Sequence, residues 1–177
     1  NIQMVLTVGD LVDRGNVLAY DALDKGDQSS YQQWKSLSAI FSKINGLLPY
    51  ILCTGNHDYG EKIAENRYSQ LNSFFPPQLN PINKSMLIEM AVNAQGVKTL
   101  ENAAYKWISP LGQEFLILSL EFAPRHQILE WAKEMADRPE YKDAIGVVLT
   151  HSYLDTTGFR LSEVNYPLED KNSGEEI

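Results

Sequence analysis

Three apolar segments that lie far apart in the chain each end in a residue type that binds metal ions. The segment MVLTVGD ends in Asp10, YILCTGN ends in Asn56 and VVLTH ends in His151. Their apolar and β-branched composition predicts buried strands. The carboxyl ends of parallel strands share one edge of an α/β sheet, where ligand sites form. We therefore expect these three side chains to lie close together.

Helical segments separate the predicted strands. In residues 29–44 apolar side chains recur at steps of three and four, and residues 125–138 repeat that pattern before Pro139 ends it. The segment AAYKWISPLGQEFLILSLEF predicts a hairpin around a turn at 109–112. The fold class predicted is α/β, with a layered mixed β-sheet flanked by helices.

The length of 177 residues predicts a single domain over 1–177. Residues 61–73 have helical character, and the whole stretch 61–96 is predicted as a loop or lid excursion within the domain. The chain starts inside a predicted strand and stops where a helix would begin. We therefore expect a piece of a longer protein, a truncated catalytic domain.

Composition excludes several classes of protein. The formal net charge of −8 argues against binding nucleic acid through charge. No apolar stretch is long enough to predict a membrane span. The single cysteine, Cys53, cannot form an intramolecular disulfide and is predicted to be a buried thiol. It leaves the compartment open.

The three strand-end residues also make a coherent ligand set. A carboxylate, an amide oxygen and an imidazole suit a divalent metal such as Mn, Fe or Zn. Asp10 has two oxygens and could bridge two ions, and ions about 3.5–4 Å apart can clamp a phosphate ester during hydrolysis. Each residue alone also has a structural explanation, a turn for Asp10 and a satisfied structural histidine for His151. Their shared position favours the metal site.

The segments GDLVDRG (9–15), GNHD (55–58) and TH (150–151) resemble, in this order, three of the five signature blocks of the calcineurin-like metallophosphoesterase superfamily. The resemblance covers residues 1–160. It implies an α/β/β/α sandwich that hydrolyses phosphate esters at a centre of two divalent ions. The stretches 107–122 and 131–135 are similar to exported bacterial members, which would imply a secreted or periplasmic protein.

The resemblance also assigns roles to individual residues. Asp10 would be the bridging carboxylate, and Asn56 and His151 would complete much of one metal's ligand shell. His57 would lie near the scissile phosphate, as a proton donor to the leaving group or as a charge stabiliser. Asp58 would orient the His57 ring. Arg14 would approach the phosphate or else form a surface ion pair.

The chain also departs from the family pattern. An Asp-x-His block and a Gly-His-x-His block are absent, and His126 does not replace either. Asp13 stands where purple acid phosphatases have a ligand Tyr, and Asp58 where protein Ser/Thr phosphatases usually have Glu. By this mapping, Asp10 is the only ligand of the second ion that the chain retains. We expect weak or no metal binding, little turnover and self-association through exposed sheet edges.

Two other functions remain open from the sequence. The first is a non-catalytic interaction module on a degenerate metallophosphoesterase scaffold. The second is a sugar- or nucleotide-binding α/β domain without metal. Among phosphoesterases, the sequence leaves monoesters, diesters, nucleotides and phosphoproteins all possible as substrates.

Overall fold

The computed structural model of the protein describes residues 2–13 and 28–177. The strands are β1 Val5–Val8, β2 Tyr50–Cys53, β3 Leu87–Val92, β4 Lys98–Ile108, β5 Glu114–Ser119 and β6 Ile145–Leu149. The α-helices are α1 Ser30–Ser42, α2 Leu71–Phe74, α3 Pro81–Met86 and α4 His126–Ala136. Two single-turn 3-10 helices cover Asn56–Asp58 and Pro139–Tyr141.

The strands form two sheets. β1 and β2 pair in parallel, with Val8 opposite Cys53 at their carboxyl ends. The second sheet has the order β3-β4-β5-β6, antiparallel except for the parallel pair β5–β6. The predicted mixed α/β architecture is confirmed.

The alternation of side chains along β2 explains how the layers stack. Ile51 and Cys53 point into a core shared with Tyr105, Ile117 and Leu149 of the larger sheet. Tyr50 and Leu52, on the opposite face, pack against Trp34 of α1. A strand buried on both faces needs the continuous apolar run that β2 has. On the far side, α4 covers the larger sheet, giving the order helix, sheet, sheet, helix.

Both long helices follow their sequence patterns. α1 begins at a capping box, in which Ser29 and Gln32 satisfy each other's backbone N–H groups. α4 buries Ile128, Ala132 and Met135 on one face. Each helix therefore contributes one apolar stripe to the sheet beside it.

The predicted hairpin is also present. The Gly112 N–H donates to the Ser109 carbonyl oxygen over 2.8 Å, which closes the turn between β4 and β5. Gly112 takes a positive φ of 82° there, a backbone conformation that glycine adopts without steric cost.

The helix predicted over 61–73 is wrong. The chain turns through most of this stretch, and only Leu71–Phe74 is helical. Glu65 accepts the backbone N–H groups of Lys62 and Ile63, which favours a turn over a helix. The buried guanidinium of Arg67 donates to carbonyl oxygens of Phe122, Ala123 and Asp170. These tertiary contacts outweigh helix propensity.

The second half of the predicted excursion is built into the fold. α3 is fixed to β2 because the side-chain amide of Asn83 pairs with the backbone of Tyr50. β3 then pairs with β4 along the sheet. The lid role of 61–96 stays a prediction. In the part of the chain that the structure describes, no helix has the length and apolar character that a membrane crossing requires.

Candidate active site

The carboxyl ends of β1, β2 and β6 meet at one edge of the molecule and bring Asp10, Asn56 and His151 together. Parallel pairing aligns the ends of β1 and β2, so Asp10 lies beside the loop that carries Asn56. His151 follows β6, and its ring reaches across to the Val8 carbonyl oxygen at the end of β1. Residues separated by up to 143 positions thus share one site.

The hydrogen bonds of His151 determine which ring nitrogen can accept a cation. Nδ1 lies 2.6 Å from the Val8 carbonyl oxygen, which can only accept, so Nδ1 carries the proton. In the neutral ring Nε2 then presents a lone pair to Asn56 Oδ1 at 3.0 Å and Asp10 Oδ2 at 3.6 Å. In this neutral tautomer, three acceptor atoms face one another. This donor set fits a divalent metal ion, which would neutralise the mutual repulsion of the acceptors.

Two glycines allow the strand ends to approach this closely. A Cβ on Gly9 would lie 2.7 Å from both the Gly55 backbone and His151 Nδ1. A Cβ on Gly55 would collide with the amide and carboxylate of Asp10. Gly9 has a φ of 95°, and Asp10 itself has a φ of 51°. Strained backbone of this kind is concentrated at functional sites.

His57 comes directly after Asn56 in the chain, and the loop after β1 orients its ring. Its Nδ1 lies 3.0 Å from the Asp13 carbonyl oxygen, so this nitrogen carries the proton in the neutral ring. The Asp13 carboxylate is 3.9 Å from the same nitrogen. The His57 backbone N–H donates to Asp10 Oδ1 over 3.1 Å, which leaves Oδ2 facing His151.

The expectation that Asp58 orients the His57 ring is wrong. Asp58 is fully buried and points the other way, accepting the Gly55 N–H over 2.7 Å and the Val12 N–H over 3.0 Å. It therefore braces the two loops of the site against each other. Burial raises the pKa of the Asp58 carboxyl to about 7, although its backbone hydrogen bonds oppose that rise. The partner of the ring is the Asp13 carbonyl oxygen, because the 3-10 turn at 56–58 points His57 and Asp58 in different directions.

Arg14 and His126 remain to be placed. Arg14 is outside the described residues. His126 starts α4 with a side chain that is 70% exposed, and its ring lies 3.4 Å from Glu130 one turn later. It takes no part in the site.

Sequence reasoning missed an aromatic wall beside His151. The ring of Phe122 packs edge-on against His151 at 5.8 Å and against Tyr166 at 5.3 Å. Burial, and then the charge on Asp10, raise the pKa of the Tyr166 hydroxyl. No motif or spacing indicates either aromatic residue, because both reach the site through the path of the chain after β5 and β6.

The site opens into a cleft of about 600 Å³. Asp10, Asp13 and His57 line it together with Gln33 and Ile40 of α1. This volume falls in the range of small-molecule sites.

The geometry can be compared with known proteins. The family model of the calcineurin-like phosphoesterases matches residues 1–173. The chain belongs to this family. Comparison with the curated proteins and with the solved structures finds no match. Membership confirms the resemblance seen in the motifs and places the chain among phosphoesterase-type hydrolases in general, whose substrates are phosphate esters.

The ligand types at the site explain one further observation. Within residues 2–13 and 28–177, no group of three or more His, Cys, Asp and Glu side chains is arranged to hold a metal ion. Asp10 and His151 are two such residues, and the third converging group is the amide of Asn56.

Proposed function

We propose that this protein hydrolyses phosphate esters at a metal centre held by Asp10, Asn56 and His151. The observation that supports this most is the convergence of Asp10 Oδ2, Asn56 Oδ1 and a lone pair of His151 Nε2 within 3.6 Å. Membership of a phosphoesterase family gives the reaction class. A divalent ion held there would polarise the phosphate and activate water.

The proposed complete centre holds two ions, with Asp10 shared between them. Each Asp10 oxygen still has a free lone pair, because Oδ1 accepts one N–H from His57 and Oδ2 faces His151. The described residues offer no further cluster of His, Cys, Asp or Glu for the second ion. We therefore propose weak metal binding and slow turnover for this chain alone. The metal is proposed to be Mn, Fe or Zn.

The proposed role of His57 is to donate a proton to the leaving group or to stabilise charge on it. Its Nδ1 is held by the Asp13 carbonyl oxygen, so Nε2 is the nitrogen that can exchange a proton with a ligand in the cleft. The Asp13 carboxylate at 3.9 Å would stabilise an imidazolium electrostatically. Arg14 is proposed to contact the phosphate, since a guanidinium matches phosphate geometry.

The three histidines of the chain provide a matched set of variants. We propose measuring Mn²⁺ affinity by calorimetry and hydrolysis of an aryl phosphate for H151A, H57A and H126A. H151A should lose most metal affinity. H57A should keep the affinity and lose about 10²–10⁴-fold in turnover, the usual contribution of a positioned acid or base. H126A, with its exposed side chain, should match the wild type.

Two results would contradict this account. Unchanged Mn²⁺ affinity in H151A would remove the proposed ligand set. Equal turnover in H57A and H126A at saturating metal would remove the proposed role of His57.

A second candidate function is an interaction module that has lost its chemistry. It is favoured because the described residues form no cluster of three or more His, Cys, Asp and Glu side chains. It predicts a fold that is stable without metal and no hydrolysis at any Mn²⁺ concentration. Slow hydrolysis that H151A abolishes would exclude it.

A further inference from the structure

A side chain in the first turn of α1 contacts the loop after β1. Gln33 Oε1 accepts the Asp13 backbone N–H over 2.8 Å, and Gln33 Nε2 donates to the Gln28 carbonyl oxygen over 3.2 Å. Both ends of the amide are therefore engaged. The carbonyl oxygen of the same Asp13 holds the His57 ring at 3.0 Å.

We propose that Gln33 is a positioning residue, which fixes Asp13 so that its carbonyl oxygen holds His57 in the orientation required for proton transfer. This inference rests on the proposed function, in which His57 acts on a phosphate ester. Gln33 acts through Asp13.

Two other described hydrogen bonds of this loop do not serve that purpose. The His57 N–H donates to Asp10, and the Val12 N–H donates to Asp58. Both connect the loop after β1 to the loop after β2, so the two loops could shift together without breaking either bond. The bond to Gln33 differs because it ties the pair of loops to a helix.

The helix is a firm support for this bond. Gln33 directly follows the capping box of Ser29 and Gln32. Trp34, the next residue, is fully buried in the core beside β2. A side chain fixed between a capped turn and a buried anchor holds its hydrogen-bonding partner within narrow limits.

Two substitutions separate the hydrogen bond from other effects. Q33L removes the acceptor with a similar side-chain volume. Q33E keeps an acceptor oxygen for the Asp13 N–H. The matched control is Q70L, because Gln70 Nε2 donates to Ser30 Oγ and so also supports the start of α1.

The experiment has two readouts on the full chain, at one fixed pH. NMR measures hydrogen exchange of the Asp13 amide and the signal of the His57 Nδ1 proton. Kinetics on an aryl phosphate at saturating Mn²⁺ give kcat and KM separately. In Q33L we expect exchange about tenfold faster, as for loss of one hydrogen bond. We also expect kcat about tenfold lower with KM nearly unchanged, since a proton donor is displaced. Q33E should restore most of the wild-type Asp13 exchange rate and kcat. Q70L should resemble the wild type in both.

The readouts distinguish failure of this inference from failure of the proposed function. The inference would be overturned if Q33L kept the wild-type exchange rate of the Asp13 amide and the wild-type signal of the His57 Nδ1 proton. It would also be overturned if Q70L changed both readouts as much as Q33L does. The phosphoesterase proposal would be overturned if the wild type showed no hydrolysis while Q33L still changed the His57 Nδ1 proton signal. The same result would support the positioning of His57 by Gln33.

Discussion

At the scale of single residues, the site depends on backbone atoms that come very close together. Gly55 leaves no space for a Cβ beside Asp10, and Asp10 adopts a φ of 51°. The geometry of the proposed ligand Asp10 therefore depends on Gly55, which is not itself a proposed ligand. Such supporting residues typically change metal affinity by about 10–100-fold when substituted.

Substitution of Gly55 tests this dependence. In G55A the new methyl group must displace Asp10, so Mn²⁺ affinity measured by calorimetry should fall by about 10–100-fold. G146A is the matched control, because a Cβ there, on β6, meets nothing within 4 Å. Equal affinity in the two variants would show that close packing at Gly55 does not determine the position of Asp10.

Residue patterns predicted that the proposed ligands converge but not the partners of the residues around them. The strand runs and their glycines are local signals, and parallel pairing of β1 with β2 brings Asp10 beside Asn56. His151 follows β6 of the other sheet and reaches them because the two sheets pack face to face. The direction of Asp58 depends on a single turn, and the contact of Gln33 with Asp13 depends on how a helix meets a loop. Neither has a sequence signal. The tertiary contacts of Arg67 likewise explain why the helix predicted over 61–73 failed.

At the scale of elements, a buried carboxylate joins β4 to α2 and to neighbouring loops. Glu101 accepts hydrogen bonds from Asn72 and Asn93 on one oxygen and from Tyr59 on the other. Burial raises the pKa of Glu101 above its usual 4.5, although these hydrogen bonds lower it in part. Burial of the charged form therefore opposes folding.

The sign of the resulting pH dependence can be tested. Above pH 4.5 the unfolded chain releases the Glu101 proton while the folded chain retains it, so stability falls as pH rises through the folded pKa. The contribution of the protonated Glu101 to stability is fully present below pH 4.5. Denaturant unfolding should show wild type losing stability relative to E101Q as pH increases. E163Q, at an exposed carboxylate, is the control. A difference between E101Q and wild type that is constant with pH would contradict the assignment.

At the scale of the whole molecule, apolar strands lie at the edges of both sheets. In the described part of the chain, β1 pairs with β2 alone and β6 with β5 alone. Leu6 on β1 is 42% exposed and Val148 on β6 is 53% exposed. Edge strands of this kind tend to pair with other chains unless charged side chains protect them.

We therefore expect reversible self-association that depends on protein concentration. Sedimentation velocity should detect it in the wild type, and L6K or V148K should reduce it. V97K is the matched control, since Val97 is equally accessible at 56% but lies outside the strands. A wild type that stays monomeric at high concentration, or a V97K variant as effective as V148K, would refute association through the edges.

The most direct test of the metal centre is anomalous diffraction from crystals grown with Mn²⁺. We predict an anomalous peak between Asp10 Oδ2, Asn56 Oδ1 and His151 Nε2, about 2.0–2.3 Å from each atom. His151 Nδ1 should stay bonded to the Val8 carbonyl oxygen. An anomalous peak elsewhere in the molecule, or a saturated crystal in which Nε2 of His151 contacts Asn56 without an ion between them, would contradict the account.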